Sequence, residues 1–321
     1  MDRPTLPRMH EVSPSDEARL WLPRLSLTAC LRAVLSRSTL GRPPAEARGV
    51  NHFPATPVCT ISWFFEGHSE WLDPTLAPMP TDPVRFSGPQ TGPTTSRDTG
   101  PGHGMMLMLL PDALHAMTGL DPSAWIDRTV AAHAVLPPDW LAWGEAVRRA
   151  ADDERRVALI ANFLEARWQA ARPASTAVLG SPLLHDWTQG LALRAASSAP
   201  GRSLRQFERR IKRWTGQPLR QLKGISRTEV VFFEVLAAQQ RGAVDWADVA
   251  VLGGFADQSH LCRETRRVTG FSPEELRQRM RGEESFWVYR LWGAVMEGAQ
   301  AERPAGRSDR GSRPALGQDH G

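Results

Sequence analysis

The chain has 321 residues, 41% of them hydrophobic and 23% charged, values that exclude wholesale disorder and leave room for two domains with their own cores. Its net charge of +4 is unevenly spread: residues 1–185 carry 17 Lys/Arg against 19 Asp/Glu, residues 186–281 carry 17 against 10, and residues 282–321 carry 5 against 6. A positive surplus confined to residues 186–281 suits either a polyanionic partner or a solvated basic surface, and charge alone does not choose between them.

The three cysteines, Cys30, Cys59 and Cys262, are odd in number and far apart, which argues against a disulfide framework and fits a reducing cytoplasm. Residues 1–27 contain no apolar stretch of the signal type, and the longest apolar run, residues 105–110, is too short to cross a bilayer. The expectation is a soluble, cytoplasmic protein with no membrane partner.

Residues 1–26, alternating charges and prolines, read as a loose arm. Short apolar runs follow at residues 31–35, 58–65, 84–86 and 105–110, separated by Pro/Gly clusters, and predict β-strands joined by turns. Residues 87–104, crowded with Gly, Pro, Thr and Ser, read as a loop. Between residues 139 and 171 the periodicity changes. Trp140, Leu141, Trp143 and Val147, then Val157, Ile160, Leu164 and Trp168, recur at helical spacing and predict two amphipathic helices meeting near Asp152 and Asp153. The large aromatics of this stripe fit a core or a self-association surface. Residues 172–182 read as a linker, an all-helical pattern then runs to about Met280, and residues 298–321 have too little to bury and are expected to be disordered.

Two segments of the basic block share one design. Residues 201–216 open with Gly201 and the N-cap candidate Ser203, continue as Leu204-Arg205-Gln206-Phe207-Glu208-Arg209-Arg210-Ile211-Lys212, and close on Thr215-Gly216. Residues 254–270 open with Gly254 and the N-cap candidate Asp257, continue through Arg263, Arg266 and Arg267, and close on Thr269-Gly270. Trp246, Val249, Ala250 and Leu252 precede the second as a short helix stopped by Gly253-Gly254, giving helix, tight turn, basic helix: a helix-turn-helix arrangement. Between the units one long helix carries Leu222, Ile225, Val230, Phe233 and Leu236, an apolar set able to hold both. With Phe207, Ile211 and Leu261 packed inward, helical spacing turns Arg205, Glu208, Arg209 and Lys212 outward on the first basic helix. On the second it turns out Gln258, Ser259, Cys262 and Arg263, with His260 near the edge and Arg266 and Arg267 nearer the helix end.

These residues resemble the AraC-type transcription regulators. The second unit carries the resemblance in Ala250, Gly254-Phe255, Asp257-Gln258-Ser259-His260, Arg263 and Gly270-Phe271-Ser272-Pro273, and the first in Ser203, Phe207, Arg209 and Gly216. Leu261, Thr265 and Leu276 depart from it, standing where that family carries aromatic rings, and Ala199-Pro200-Gly201 matches poorly. Pro83 to Pro89, Met108 to Leu114 and Gly119 resemble an N-terminal domain found in some of these regulators. The resemblance implies an α+β N-terminal sensor domain over residues 27–171, a small β-barrel or sandwich with helices that senses a small-molecule effector or forms a homodimer. An all-α DNA-binding domain with two helix-turn-helix units follows over residues 183–285. It further implies sequence-specific binding of double-stranded promoter DNA through the outward residues named above, and contact with RNA polymerase where the outcome is activation. A low-specificity architectural DNA binder whose N-terminal domain only dimerises stands as the alternative.

No cofactor or metal is expected. The nine histidines include no pair at metal-binding spacing, Cys59 reads as a small buried hydrophobe in a strand, and Asp152-Asp153-Glu154 reads as a charged helix junction. Gly100-Pro101-Gly102-His103-Gly104 precedes a strand rather than a helix and reads as a hairpin loop, not a phosphate cradle. DNA-repair proteins that share this type of reader need a zinc-binding cysteine cluster, which three scattered cysteines do not provide, so an enzyme is not expected. Trp63 and Trp71 flank Phe64-Phe65 and suit either barrel core or the wall of an effector pocket.

Overall fold

A computed structural model describes residues 9–13, 15, 17–43, 49–180, 183–197, 203–241 and 244–301. Two antiparallel sheets form the first half. The larger has the order β1 (His10–Val12), β2 (Ala18–Leu22), β3 (Leu31–Ser38), β9 (His103–Leu109), β5 (Cys59–Glu66), β7 (Val84–Ser87) and β10 (Thr129–Ala131). The smaller is β4 (Val50–Phe53), β8 (Thr94–Asp98) and β6 (Ser69–Trp71). The four runs read as strands are strands, and they lie in the middle of the larger sheet. The expected arm is not loose where it is described: residues 10–12 and 18–22 form β1 and β2, because Leu20 and Trp21 have a core to enter. The expected loop 87–104 likewise contains β8, which pairs with both β4 and β6. Residues 1–8 of the arm fall outside the described residues.

Strand alternation gives the larger sheet two different faces. Cys59, Ile61, Trp63, Met105, Leu107 and Leu109 point to one side, where α1 (Pro111–Thr118), α2 (Pro138–Arg149) and α3 (Asp153–Ala171) cover them. Trp140, Trp143 and Trp168 lie in this core at 1%, 7% and 1% exposure, so the tryptophan stripe is interior and unavailable as a self-association surface. Asp152 caps α3, its carboxylate accepting from the Arg155 amide at 2.8 Å, which places the helix junction where the sequence put it.

The second half is helical: α4 (Leu184–Ser197), α5 (Leu204–Thr215), α6 (Leu219–Arg241), α7 (Trp246–Leu252), α8 (Gln258–Thr269), α9 (Pro273–Gly282) and α10 (Trp287–Ala301). It does not hang from a free linker. Trp187 and Leu191 of α4 enter the same core as α1 to α3. Within the expected linker, the Leu179 amide donates to Thr28 Oγ1 at 3.1 Å and Thr176 Oγ1 accepts from Arg194 at 3.3 Å. Residues 181–182 lie outside the described residues.

The helical half also extends past the expected end at residue 285. Trp287, Leu291 and Trp292 of α10 pack with Leu20, Ala33 and Leu35 on the opposite side of the sheet. Each such buried side chain contributes roughly 1.5–3 kcal/mol, which is why this apolar helix belongs to the fold. The expected disordered tail begins inside α10, and residues 302–321 lie outside the described residues.

Candidate nucleic-acid interface

Helix α6 organises the helical half because four apolar clusters meet on it, one of them the Leu276, Met280, Phe286 and Tyr289 cluster that its Phe232 and Leu236 contact. Leu222 and Ile225 join the main core, Phe233 joins the cluster under α10, and Val231 and Val235 pack against Val249, Ala250, Phe255 and Leu261 of the second helix-turn-helix. Val231, not Val230, is thus the residue that meets the second unit.

The turn of that unit is built on two glycines. Gly254 has φ +68, a conformation that costs an L side chain free energy. At Gly253 a β-carbon would land 2.3 Å from Val231 Cγ2, so the close approach of turn and helix needs its absence. Arg227 of α6 closes the turn, its guanidinium donating to the Gly254 carbonyl at 3.1 Å over the Phe255 ring. Asp257 caps α8 by accepting from the His260 amide at 2.6 Å. On α5, Ser203 holds the N-cap position without a side-chain cap bond, contrary to its expected capping role. Gly216 and Gly270 end α5 and α8 in the left-handed conformation the sequence suggests.

Burial then sorts the candidate readers. On α8, Leu261, Thr265 and Val268 are buried, while Gln258, Ser259, Arg263, Arg266 and Arg267 are exposed. His260 and Cys262 are half-buried, and the His260 ring sits edge-on to Phe255 at 5.3 Å, so it packs rather than projects. Arg267 pairs with Glu264 at 2.7 Å and Arg266 reaches Glu275 at 3.6 Å, which leaves Arg263 as the outward arginine with no ion pair among the described residues.

On α5, Ile211 is buried, Phe207 half-buried, and Arg205, Arg209 and Lys212 exposed. Glu208 is exposed but turned toward α6, where it accepts from the Leu219 amide at 3.4 Å; it serves the start of α6 as much as any outside partner. Arg213 went unnoticed in the sequence although it lies four residues past Arg209, and it is exposed on the same side of α5. Arg220 and Lys223 add exposed positive charge at the start of α6, between the two units.

Both basic helices rest on the β-half at their C-terminal ends. A β-carbon on Gly216 would sit 3.1 Å from the Pro122 carbonyl, and the Ala55 amide donates to the Val268 carbonyl at 2.7 Å. Gly270 abuts Pro93. The two supporting loops are themselves joined: the Asp127 amide donates to the Pro89 carbonyl at 2.9 Å, and Asp127 accepts from the Thr91 amide at 2.6 Å. The N-terminal halves of α5 and α8, carrying Arg205, Arg209, Ser259 and Arg263, are left outward, the end that a recognition helix presents to base edges.

A second polar cluster has the residue types of a hydrolytic triad. Ser36 Oγ donates to Asp153 at 2.5 Å, and His103 Nε2 lies 3.1 Å from Asp153 and 3.3 Å from Ser36. A relay needs one imidazole nitrogen on the serine and the other on the carboxylate. Here the same nitrogen faces both, and the cluster ties β3 and β9 to α3. Burial pushes the Asp153 carboxyl up, but hydrogen bonds from His103, Ser36 and Arg156 outweigh it and hold the pKa at about 2. Among the described residues no group of three potential ligands is placed to hold a metal.

Between the sheets lies a cavity of about 280 Å³. Its walls are the second face of the larger sheet, the smaller sheet, and α6 and α10 of the helical half. Trp63 belongs mainly to the opposite core, donating to the Gly144 carbonyl at 2.9 Å, while Trp71 lines the cavity.

No family model matches this chain, and no curated protein matches it. Among solved structures it is similar to ToxT from Vibrio cholerae O395, at 9% identity and a TM-score of 0.32, over 74% of this chain and 99% of that one. A ToxT from Vibrio cholerae strain SCE256 with bound unsaturated fatty acid gives 9% and 0.31 over 73% and 96%. The AraC-like transcriptional activator CuxR gives 12% and 0.30 over 86% and 84%.

Proposed function

We propose that this chain is a DNA-binding transcription regulator of the AraC type, with α5 and α8 as recognition helices for successive major-groove segments of promoter DNA. The observation that carries the reading is the paired construction. Two glycine-ended, arginine-rich helices each have one buried face and one basic exposed face, and α6 joins them. Arg209 and Arg263 suit bidentate pairing with guanine, and Gln258 suits adenine. Lys212, Arg213, Arg220 and Lys223 suit phosphates.

In this reading the cavity takes a small-molecule effector, and α6 reports its occupancy. Thr228, Glu229, Phe232 and Phe233 of α6 line the cavity, while Val231 and Val235 of the same helix hold the second unit. Duplex binding by the full chain tests the reading. Selection of bound sequences should return a preferred site favoured over bulk DNA by ~10³-fold or more, and affinity should fall with salt at a slope of about −0.9 per neutralised phosphate. Binding without sequence preference identifies an architectural protein instead, and no binding at low salt rejects both.

A further inference from the structure

Strand register sets an apolar-to-polar order along two rows that the larger sheet turns into the cavity, with the paired Arg32 and Arg37 flanking their apolar end. One row across the larger sheet runs Leu35, Met106, Ser62, Arg85, each residue the cross-strand partner of the next. The parallel row beside it runs Ala33, Met108, Thr60, Ser87, Thr129. Phe233 of α6 and Trp287 of α10 cover the Leu35 end. The far end is lined by hydroxyls around one guanidinium.

That guanidinium has no ion pair among the described residues. Arg85 is 2% exposed, lies 3.9 Å over the Phe64 ring, and donates from Nε to the Asp82 carbonyl at 3.0 Å. Its Nη1 is buried without a hydrogen-bond partner among the described residues. The Asp82 carboxylate acts on Arg85 from a distance and offsets only part of the cost of burial, without pairing with it, and its side chain lies 3.3 Å from His133. Burial lowers the Arg85 pKa to about 10, which still leaves the group charged at neutral pH. A buried cation without a paired counter-ion is costly, and an anion delivered into the cavity would offset that cost. The other cavity arginines are already paired, Arg32 with Glu229 and Arg37 with Asp98 and Glu284.

We infer that the cavity binds an organic acid, its anionic group held by Arg85 with Ser62 and Ser87 beside it and its apolar body laid along Met106 and Met108 toward Phe233 and Trp287. The ligand body thereby touches α6 directly. This deepens the effector reading given above and names the chemical class of the effector.

The test uses the full chain without DNA, so that its failure leaves the DNA-binding reading standing and the converse also holds. Two pairs of probes matched in body, octanoate with octanol and phenylbutyrate with phenylbutanol, are titrated by calorimetry against wild type, Arg85→Gln and Arg85→Lys. At least one acid is expected to bind wild type about tenfold or more tightly than its alcohol. Arg85→Gln should abolish that preference by weakening the acid far more than the alcohol. Should Arg85→Gln fail to fold, Arg85→Lys, which keeps the charge but loses the forked donor, is expected to retain a reduced preference. Equal binding of acid and alcohol to wild type, no binding of either acid, or a preference undiminished in every folded Arg85 variant overturns the assignment.

Discussion

Arg194 of α4 and Asp112 of α1 form a buried ion pair at 2.6 Å that joins the helical half to the β-half. Asp112 also accepts from Trp187 Nε1 at 3.0 Å, and the Arg194 guanidinium lies 4.6 Å over the Trp214 ring of α5. Removing one partner strands the other charge in the core. Asp112→Ala is therefore expected to lower stability by about 3–5 kcal/mol. Equilibrium urea unfolding followed by tryptophan fluorescence and far-UV dichroism checks this. The two signals should move together in a single transition, since α4 shares its core with α1 to α3.

The Ser36–His103–Asp153 cluster gives a pH prediction. The folded pKa of Asp153, about 2, lies below its ordinary value, so the folded state favours the carboxylate. The stabilisation is complete above the unfolded pKa of about 4 and is lost as pH falls toward 2, with a magnitude on the order of 2 kcal/mol. Asp153→Asn should be less stable than wild type at neutral pH, and the gap should close below about pH 4. Denaturation curves of both proteins across this range measure it, and a gap independent of pH would contradict the sign.

Thr265 occupies the position where the sequence departs most plainly from the family it resembles. Its side chain is 2% exposed, its hydroxyl has no partner among the described residues, and a void of about 20 Å³ adjoins it beside Val231, Val235 and Leu276. Thr265→Val keeps the shape and removes the stranded hydroxyl, and should stabilise the protein by about 1 kcal/mol. Thr265→Ser keeps the hydroxyl and enlarges the void, and should destabilise. Midpoints of chemical denaturation for the two variants should move in opposite directions.

On the DNA-binding reading, Arg209→Ala and Arg263→Ala should each cost about 1–3 kcal/mol at the selected site and much less on random duplex. Lys223→Ala should weaken both alike and reduce the salt slope by about 1. Titration of site and random DNA at several salt concentrations separates the two patterns. Equal losses on both DNAs for the two arginine variants would remove them from base reading.

What the sequence disclosed tracks how many faces of an element are buried. β3, β5 and β9 read clearly because apolar residues dominate them, and α2 and α3 because Trp140, Val147, Ile160 and Leu164 keep helical spacing. β8 did not, since Thr94-Thr95-Ser96-Arg97-Asp98 turns hydroxyls toward a cavity and has no apolar alternation to detect. Turn glycines and the Asp257 cap were legible because they act locally. The contacts of Glu208 and His260 were not legible, because each is made with a neighbour distant in sequence or across a turn, Leu219 and Phe255. The charge division hid a further point: α4 lies almost wholly inside the basic block and α10 follows it, yet both pack on the β-half, so the charge boundary is not a packing boundary.

Because α5 and α8 stand on loops that are hydrogen-bonded to each other, the angular phase between the two basic faces is fixed by the β-half as well as by α6. One base pair added between two half-sites rotates the second by about a tenth of a helical turn and shifts it along the axis. A tethered pair of readers would absorb that change in its tether. This pair has no tether to lengthen, so on the DNA-binding reading a spacer altered by a single base pair would force the protein either to release one half-site or to twist the duplex between them.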